Sequence, residues 1–292
     1  MIKTRILQLI GSLTTLISPR LNTEIMYFLY FKKRINLKNP QTLDEKIQWL
    51  KLNTYYNNEL VKKCADKYKV IDYIKEKGCE EILNERIGVY DCVENIPWQD
   101  LPFKFVVKWN FGSGFNIICQ DKDLLDINKV SKQLEKWGKR KYYLRFSEMQ
   151  YKGVEEKILI ERFIESPSGN IPEDYKVYCF NGKAYYVLVC LDRGSEQTKF
   201  YFFDRNWHLQ RFNKMGKEAP EDFSIPKPEG VDELFKYADI LAEPFPFVRV
   251  DFFLVNGKVY FGELTFTPGG GYDKNRLPKT NLLFGEILKL PI

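Results

Sequence analysis

Between Phe247 and Tyr272 the chain reads FVRVDFFLVNGKVYFGELTFTPGGGY, two apolar, β-rich runs flanking Val255-Asn256-Gly257. That pattern predicts a β-hairpin with its turn signal in place. Inside it stand Arg249, Asp251 and Glu263, charges that a buried strand tolerates only when something compensates them. Two carboxylates with hydroxyls beside them suit a hard cation such as Mg²⁺. The Gly269-Gly270-Gly271 run just beyond offers bare backbone for the close approach of a ligand. The stretch reads as a metal-and-phosphate site. The alternative is a surface hairpin with solvated charges.

Spacing tests the geometry. Arg249 and Asp251 are two apart and share a strand face, as do Glu263 and Thr265. A two-residue Asn256-Gly257 turn pairs Asp251 with Gly262 and sends the two carboxylates to opposite faces. A three-residue Val255-Asn256-Gly257 loop, with glycine left-handed in a bulge, pairs Asp251 with Phe261 and brings both acids to one face. The metal reading therefore predicts the three-residue loop.

At 292 residues the chain can hold one large domain or two smaller ones. Aromatic residues are abundant at 15% but sit in strand-like runs, which assigns them to core packing. The net charge of +6 reads as an excess spread along the chain among many acids, so no nucleic-acid stripe is evident. It suits an anionic substrate such as a nucleotide or an acidic glycan. Six cysteines form no CxxC pair, and several fall in apolar runs, which points to a reducing cytoplasm. His208 is the only histidine, so a zinc site or a Ser-His or Cys-His pair is not expected. Chemistry is left to carboxylates, lysines and arginines.

The N-terminal MIKTRILQLIGSLTTLISPR is too short and too polar to span a bilayer and lacks a clear cleavage site. It reads as an amphipathic helix that docks on the protein or on an anionic membrane surface, with the former preferred. Thr42-Leu43-Asp44-Glu45 is a capping box that starts a helix over about 43–52. Apolar spacing predicts helix through 59–77, stopped by Gly78, with Asp66-Lys67 within it. Further helices are expected at 127–137 and 231–243. Strands are expected at 103–109, 115–119, 157–163, 174–180, 183–190 and 200–203, and 212–230 reads as a long irregular connection. The class is α+β, with antiparallel sheets and interspersed helices.

Lys108 closes the apolar run FVVKW directly before Asn110-Phe111-Gly112-Ser113-Gly114. A lysine there calls for an anionic partner, and a Gly-Ser-Gly turn lets backbone N–H groups approach phosphate oxygens. Lys176 in DYKVYCF repeats the pattern. Glu161-Arg162-Phe163 ends the run KILIE and Arg193 leaves another strand. Each alone is explained by a solvated strand edge; their order along the chain is not.

The segments ADKY (65–68), FVVKWNFGSG (105–114), ILIERFI (158–164), DYKVYCFNGK (174–183) and VRVDFFLVNGKVYFGELTFTPGGG (248–271) resemble the ATP-grasp superfamily. More narrowly, the chain is similar to the TupA-like ATP-grasp family of bacterial surface-polysaccharide (capsule and cell-envelope) gene clusters, from about residue 36 to 285. The resemblance implies an ATP-grasp fold with an N-terminal helical region over 1–102, a small lid subdomain over 103–165 and a large subdomain over 166–292. It implies ATP and Mg²⁺ as cofactors. Lys67 and Lys108 would hold phosphates beneath the mobile loop Gly112, Ser113 and Gly114. Glu161, Arg162, Phe163 and Ile164 would line the adenine, and Lys176 would face the phosphates. Asp251 and Glu263 would hold the metal, with Thr265 standing where the superfamily generally has Asn. Arg249, with Lys176 and Arg193, would serve the chemistry.

The implied activity is that of an ATP-dependent carboxylate–amine ligase working through an acyl phosphate, which needs positioning and charge neutralisation but no histidine. The expected partners are a small-molecule amine and a carboxylated sugar or glycan, with no nucleic acid. The expected location is the cytoplasm or the inner face of the membrane. The rival readings are a glycosyltransferase, whose nearest DxD match, Asp121-Lys122-Asp123, has a poor context, and a non-catalytic nucleotide-binding protein.

Overall fold

In a computed structural model, residues 2–167, 169, 171–193 and 197–291 are described, with the side chains of residues 2–4 left aside. Two antiparallel sheets form the body. The smaller is built from β1 (Arg86–Tyr90), β2 (Phe105–Trp109), β3 (Asn116–Cys119) and β4 (Ile158–Arg162) in the order β1-β4-β2-β3. The larger comprises β5 (Asp174–Phe180), β6 (Lys183–Leu191), β7 (Lys199–Asp204), β8 (Leu209–Gln210), β9 (Phe247–Val255) and β10 (Lys258–Thr265), in the order β10-β9-β5-β6-β7-β8. The antiparallel α+β class follows from the two Asn-Gly turns, each with both residues at positive φ, which join β5 to β6 and β9 to β10.

Five helices precede the sheets: α1 (Ile2–Ile17), α2 (Pro19–Phe31), α3 (Leu43–Leu52), α4 (Glu59–Ala65) and α5 (Val70–Glu76). The capping box forms at α3, with Thr42 Oγ1 accepting from Glu45 N and the Glu45 carboxylate accepting from Thr42 N. The helix predicted over 59–77 is instead two. Asp66 breaks it because its carboxylate accepts the backbone N–H groups of Tyr68 and Lys69, an alternative to continuing the helix. Lys67 consequently lies in the break, not in a helix.

Four more helices complete the chain: α6 (Ile127–Gly138), α7 (Lys214–Glu218), α8 (Val231–Ala242) and α9 (Pro278–Ile287). Helix α8 presents Val231, Leu234, Phe235, Ala238, Leu241 and Ala242 to the large sheet at helical spacing. Each large side chain buried this way contributes on the order of 2 kcal/mol. Helix α9 docks beside α3, where Asp44 and Arg276 form a buried pair at 2.7 Å and Gly285 admits the Gln41 carbonyl. Sequence patterns do not predict α2, α7, α9 or β1, and α7 interrupts the segment expected to be irregular. Strand β1, which lies within residues 1–102, belongs to the small sheet.

The hairpin of β9 and β10 corrects the expectation about its loop. Val255 pairs with Lys258, so Asn256-Gly257 is a two-residue turn. The register then slips between Phe261 and Glu263, leaving Gly262 as the extra residue of a β-bulge. That slip places Glu263 directly opposite Asp251 and Thr265 opposite Arg249. The same-face arrangement exists, produced by a bulge rather than by a three-residue loop. Glycine suits the position because a Cβ there would lie 2.9 Å from the Asp251 carbonyl oxygen.

Candidate functional site

One cavity lies between the two sheets and is walled by both. From the large sheet, Lys176, Asp251 and Glu263 stand opposite one another on β5, β9 and β10, a single rung across three strands. Directly opposed residues share a face, with Cβ atoms about 5 Å apart, so one lysine and two carboxylates converge. Asp174 lies two residues from Lys176 on the same face, and Arg193 reaches it from beyond β6. From the small sheet come Lys108 and Glu161, paired at 2.7 Å, with Arg86 3.7 Å from the same carboxylate.

Between the sheets runs the loop 110–114. Asn110 is fully buried and organises it, donating to Asp66 and the Glu155 carbonyl while accepting from Lys157 N. Phe111 and Phe115 are buried on either side, whereas Ser113 and Gly114 are exposed. Gly112 is left-handed and pressed against the Tyr142 ring, which excludes a side chain there. Lys67 ties the loop to the acid rung: its Nζ donates to the Gly112 carbonyl at 2.6 Å and lies 3.2 Å from Glu263.

The cations gathered here are paired with acids. Lys176 lies 3.1 Å from Asp251 and 3.5 Å from Asp174, Arg193 pairs with Asp174, and Arg249 grips Asp251 through Nε and Nη2. Burial raises the cost of ionising Glu263, but Lys67, Arg249 and Lys176 outweigh it and hold its carboxyl down at about 2. Burial pushes the Asp174 carboxyl up despite Lys176 and Arg193. Burial also opposes the charge on Arg249, yet Asp251 more than offsets it and holds the guanidinium protonated.

Among the described residues no three His, Cys, Asp or Glu side chains gather into a metal cage. Two opposed carboxylates fit Mg²⁺ nonetheless, because that ion commonly takes one or two carboxylates and completes its shell with water and phosphate oxygens. The Thr265 hydroxyl lies 3.4 Å from both Glu263 and Arg249, on the same face.

A second, larger cavity of about 730 Å³ adjoins the first. Gly112, Ser113, Phe115 and Glu263 line both. Its walls carry Lys139, Arg140, Lys141, Arg145 and Arg249 against only Glu148 and Glu263. Lys139, Arg140 and Arg145 have no carboxylate within salt-bridge distance among the described residues. The Glu148 carboxyl is buried and bonded to Thr267 at 2.6 Å, with the fully buried Lys51 close by. Burial pushes Glu148 up and Lys51 down.

Lys67, Lys108, Gly112, Ser113, Gly114, Glu161, Arg162, Phe163, Ile164 and Lys176, expected at the nucleotide, Asp251 and Glu263, expected at the metal, and Arg193, expected in the chemistry, all line the first cavity. Arg249 and Thr265 line the second. The Arg162 side chain turns outward to Glu85, leaving its backbone at the wall. Of the glycine run, Gly269 and Gly270 line the second cavity, with the Phe146 ring packed on Gly270, whereas Gly271 is closed off by the Gln48 amide. Asp174, Asn110, Arg145 and Glu148 are site residues that sequence patterns miss. Asp174 does carry a signal, since it precedes Lys176 at strand spacing. So does Lys51, a lysine on the apolar face of α3 beside Ile47 and Leu50.

The sequence matches the family described as TupA-like ATPgrasp over residues 45–289. No curated protein matches it. Among solved structures, a D-alanine–D-alanine ligase from Bacillus anthracis complexed with ATP is 19% identical over 76% of this chain and 64% of its own, with a TM-score of 0.47. An L-amino acid ligase from Bacillus licheniformis is 11% identical over 85% of this chain and 54% of its own, with a TM-score of 0.46. The ADP complex of an N5-carboxyaminoimidazole ribonucleotide synthetase is 12% identical over 76% of this chain and 50% of its own, also at 0.46. The chain thus spans roughly half to two thirds of the length of these proteins.

Proposed function

The chain belongs to the TupA-like ATP-grasp family, and from that premise we propose that it is an ATP-dependent carboxylate–amine ligase. The observation that carries this reading is the junction of the two cavities. Glu263 and the 112–115 loop line both, so a γ-phosphate held in the first would meet an acceptor held in the second.

In the reaction an acceptor carboxylate oxygen attacks the γ-phosphorus of ATP, the bond to the β-phosphate oxygen breaks, and ADP leaves. An amine then attacks the acyl carbon of the acyl phosphate, loses a proton and expels inorganic phosphate, leaving an amide. Lys67, Lys108 and Lys176 hold the phosphates, and the strand exit from Glu161 to Ile164 lines the base. Asp251 and Glu263 would hold Mg²⁺, which neutralises phosphate charge when bound. Arg249, on the acceptor side of the acid rung, orients the attacking carboxylate. Loop 112–114 covers the junction and keeps water from the acyl phosphate.

The excess of unpaired cations in the second cavity selects an anionic acceptor, and its volume accommodates a sugar-sized group. We take that acceptor to be a uronic-acid-bearing surface glycan or its precursor. The test is a screen of uronic acids and amines with Mg·ATP, scoring ADP release. Lys176→Met should abolish both turnover and the thermal stabilisation by Mg·ATP. If wild-type protein melts at the same temperature with Mg·ATP as with Mg²⁺ alone, the assignment fails.

A further inference from the structure

Helix α1 is mounted inside out. The side that faces the protein carries Gly11, Thr15 and one apolar residue, Ile10. A Cβ on Gly11 would come within 2.3 Å of the Arg145 carbonyl, Thr15 donates to the Leu144 carbonyl at 2.6 Å, and the Thr15 and Ser147 hydroxyls share a hydrogen bond at 2.8 Å. Asn22 of α2 locks the pair by donating to the Gly11 carbonyl. Outward go Ile6, Leu9, Leu13, Leu16 and Ile17, between 51% and 74% exposed. At helical spacing these five fall within an arc of about 100°, a continuous apolar stripe. Water is the wrong solvent for such a stripe on a helix held this firmly.

Charge identifies the occupant. Seven of the 45 Lys and Arg residues, but only one of the 39 Asp and Glu, fall within residues 1–43. That segment carries the whole net charge of +6, and residues 44–292 sum to zero. The excess is therefore not spread along the chain, as its many interspersed acids suggest, but concentrated where the apolar stripe lies. Arg5 flanks the stripe, and Arg20, Lys32, Lys33 and Arg34 are exposed on and after α2. A second copy apposed through this face would set like charges together. An anionic surface with an apolar layer beneath it satisfies both features.

We propose that α1 lies flat in the surface of an anionic lipid bilayer, its stripe among the acyl chains and its flanking basic residues among the headgroups. Gln8 and Ser12, on the side of the helix next to Arg5, line the acceptor cavity, so this orientation brings the cavity mouth to the membrane surface. No described helix is long and apolar enough to cross the membrane, and the attachment is peripheral. This inference is independent of the ligase reading.

The test is co-sedimentation of the full chain with vesicles of phosphatidylcholine alone or with one-third phosphatidylglycerol. Wild type should partition to the anionic vesicles at least about tenfold more strongly. The Leu9→Ser, Leu13→Ser, Leu16→Ser triple variant should lose that partition while keeping its melting temperature, since all three side chains are exposed. Equal binding to both vesicle types, or by both proteins, would overturn the proposal. So would a wild-type dimer in size-exclusion light scattering that the triple variant converts to monomer, because the stripe would then be a contact between copies.

Discussion

Glu263→Gln isolates the electrostatics of the site from its chemistry. The Glu263 carboxyl is held at about 2 against an ordinary 4.5, with Lys67 at 3.2 Å the nearest cation. A depression of that size is worth about 3 kcal/mol of folding stability at neutral pH. The side chain is 28% exposed, so solvent screening trims the expected loss in the variant to about 2–3 kcal/mol. The sign follows from a folded value below the unfolded one: the stabilisation is complete above 4.5 and disappears as pH falls through about 2. Urea denaturation of both proteins should therefore show a stability gap at pH 7 that narrows by roughly two-fifths at about pH 3.5. A gap unchanged between the two pH values would show that glutamine acts through packing and not through loss of the Lys67–Glu263 pair. Because Glu263 is also proposed to hold metal, turnover should vanish even at pH 7, where the variant remains folded.

Asp44→Asn should destabilise the protein by about 3–5 kcal/mol in chemical denaturation, because it strands the buried Arg276 guanidinium. Gly285→Ala puts a Cβ 1.9 Å from the Gln41 carbonyl oxygen and should cost about 3 kcal/mol or more, lowering the melting temperature without altering Mg·ATP affinity per folded molecule. Hydrogen exchange across residues 109–116 should be slow at Trp109 and Asn110, whose amides donate to the Phe115 and Lys157 carbonyls, fast at the exposed Ser113 and Gly114, and slower at that tip once Mg·ATP is added. Equal protection with and without nucleotide would reduce that loop to a plain turn.

The charges of β9 and β10 are legible in the sequence because a strand whose neighbours are Phe, Val and Leu advertises any acid placed on it. Lys108 and Lys176 are legible for the same reason. The register that unites them is not, since one bulge at Gly262 has the same outcome as a longer loop and local sequence does not distinguish them. The split of 59–77 escapes because Asp66 competes for backbone N–H groups only when Asn110, distant in sequence, holds its carboxylate in place. The second cavity is invisible for a broader reason: its walls come from α1, the 139–151 segment and the end of β10, which no short-range pattern joins. The N-terminal helix is recognisably amphipathic, but which side faces the protein depends on the Gly11 contact with Arg145, a long-range fact.

The mutual pairing of lysines and acids between the sheets makes the cavity a two-key lock. An anion arriving alone would draw Lys67 and Lys176 away from Glu263 and Asp251 and leave Arg249 alone to hold two opposed carboxylates. A divalent cation arriving alone would draw the carboxylates and strand the lysines. Only a ligand that brings both signs already joined lets every partner change hands at once. The resting arrangement of charges therefore disfavours free phosphate or bare Mg²⁺ relative to the two combined.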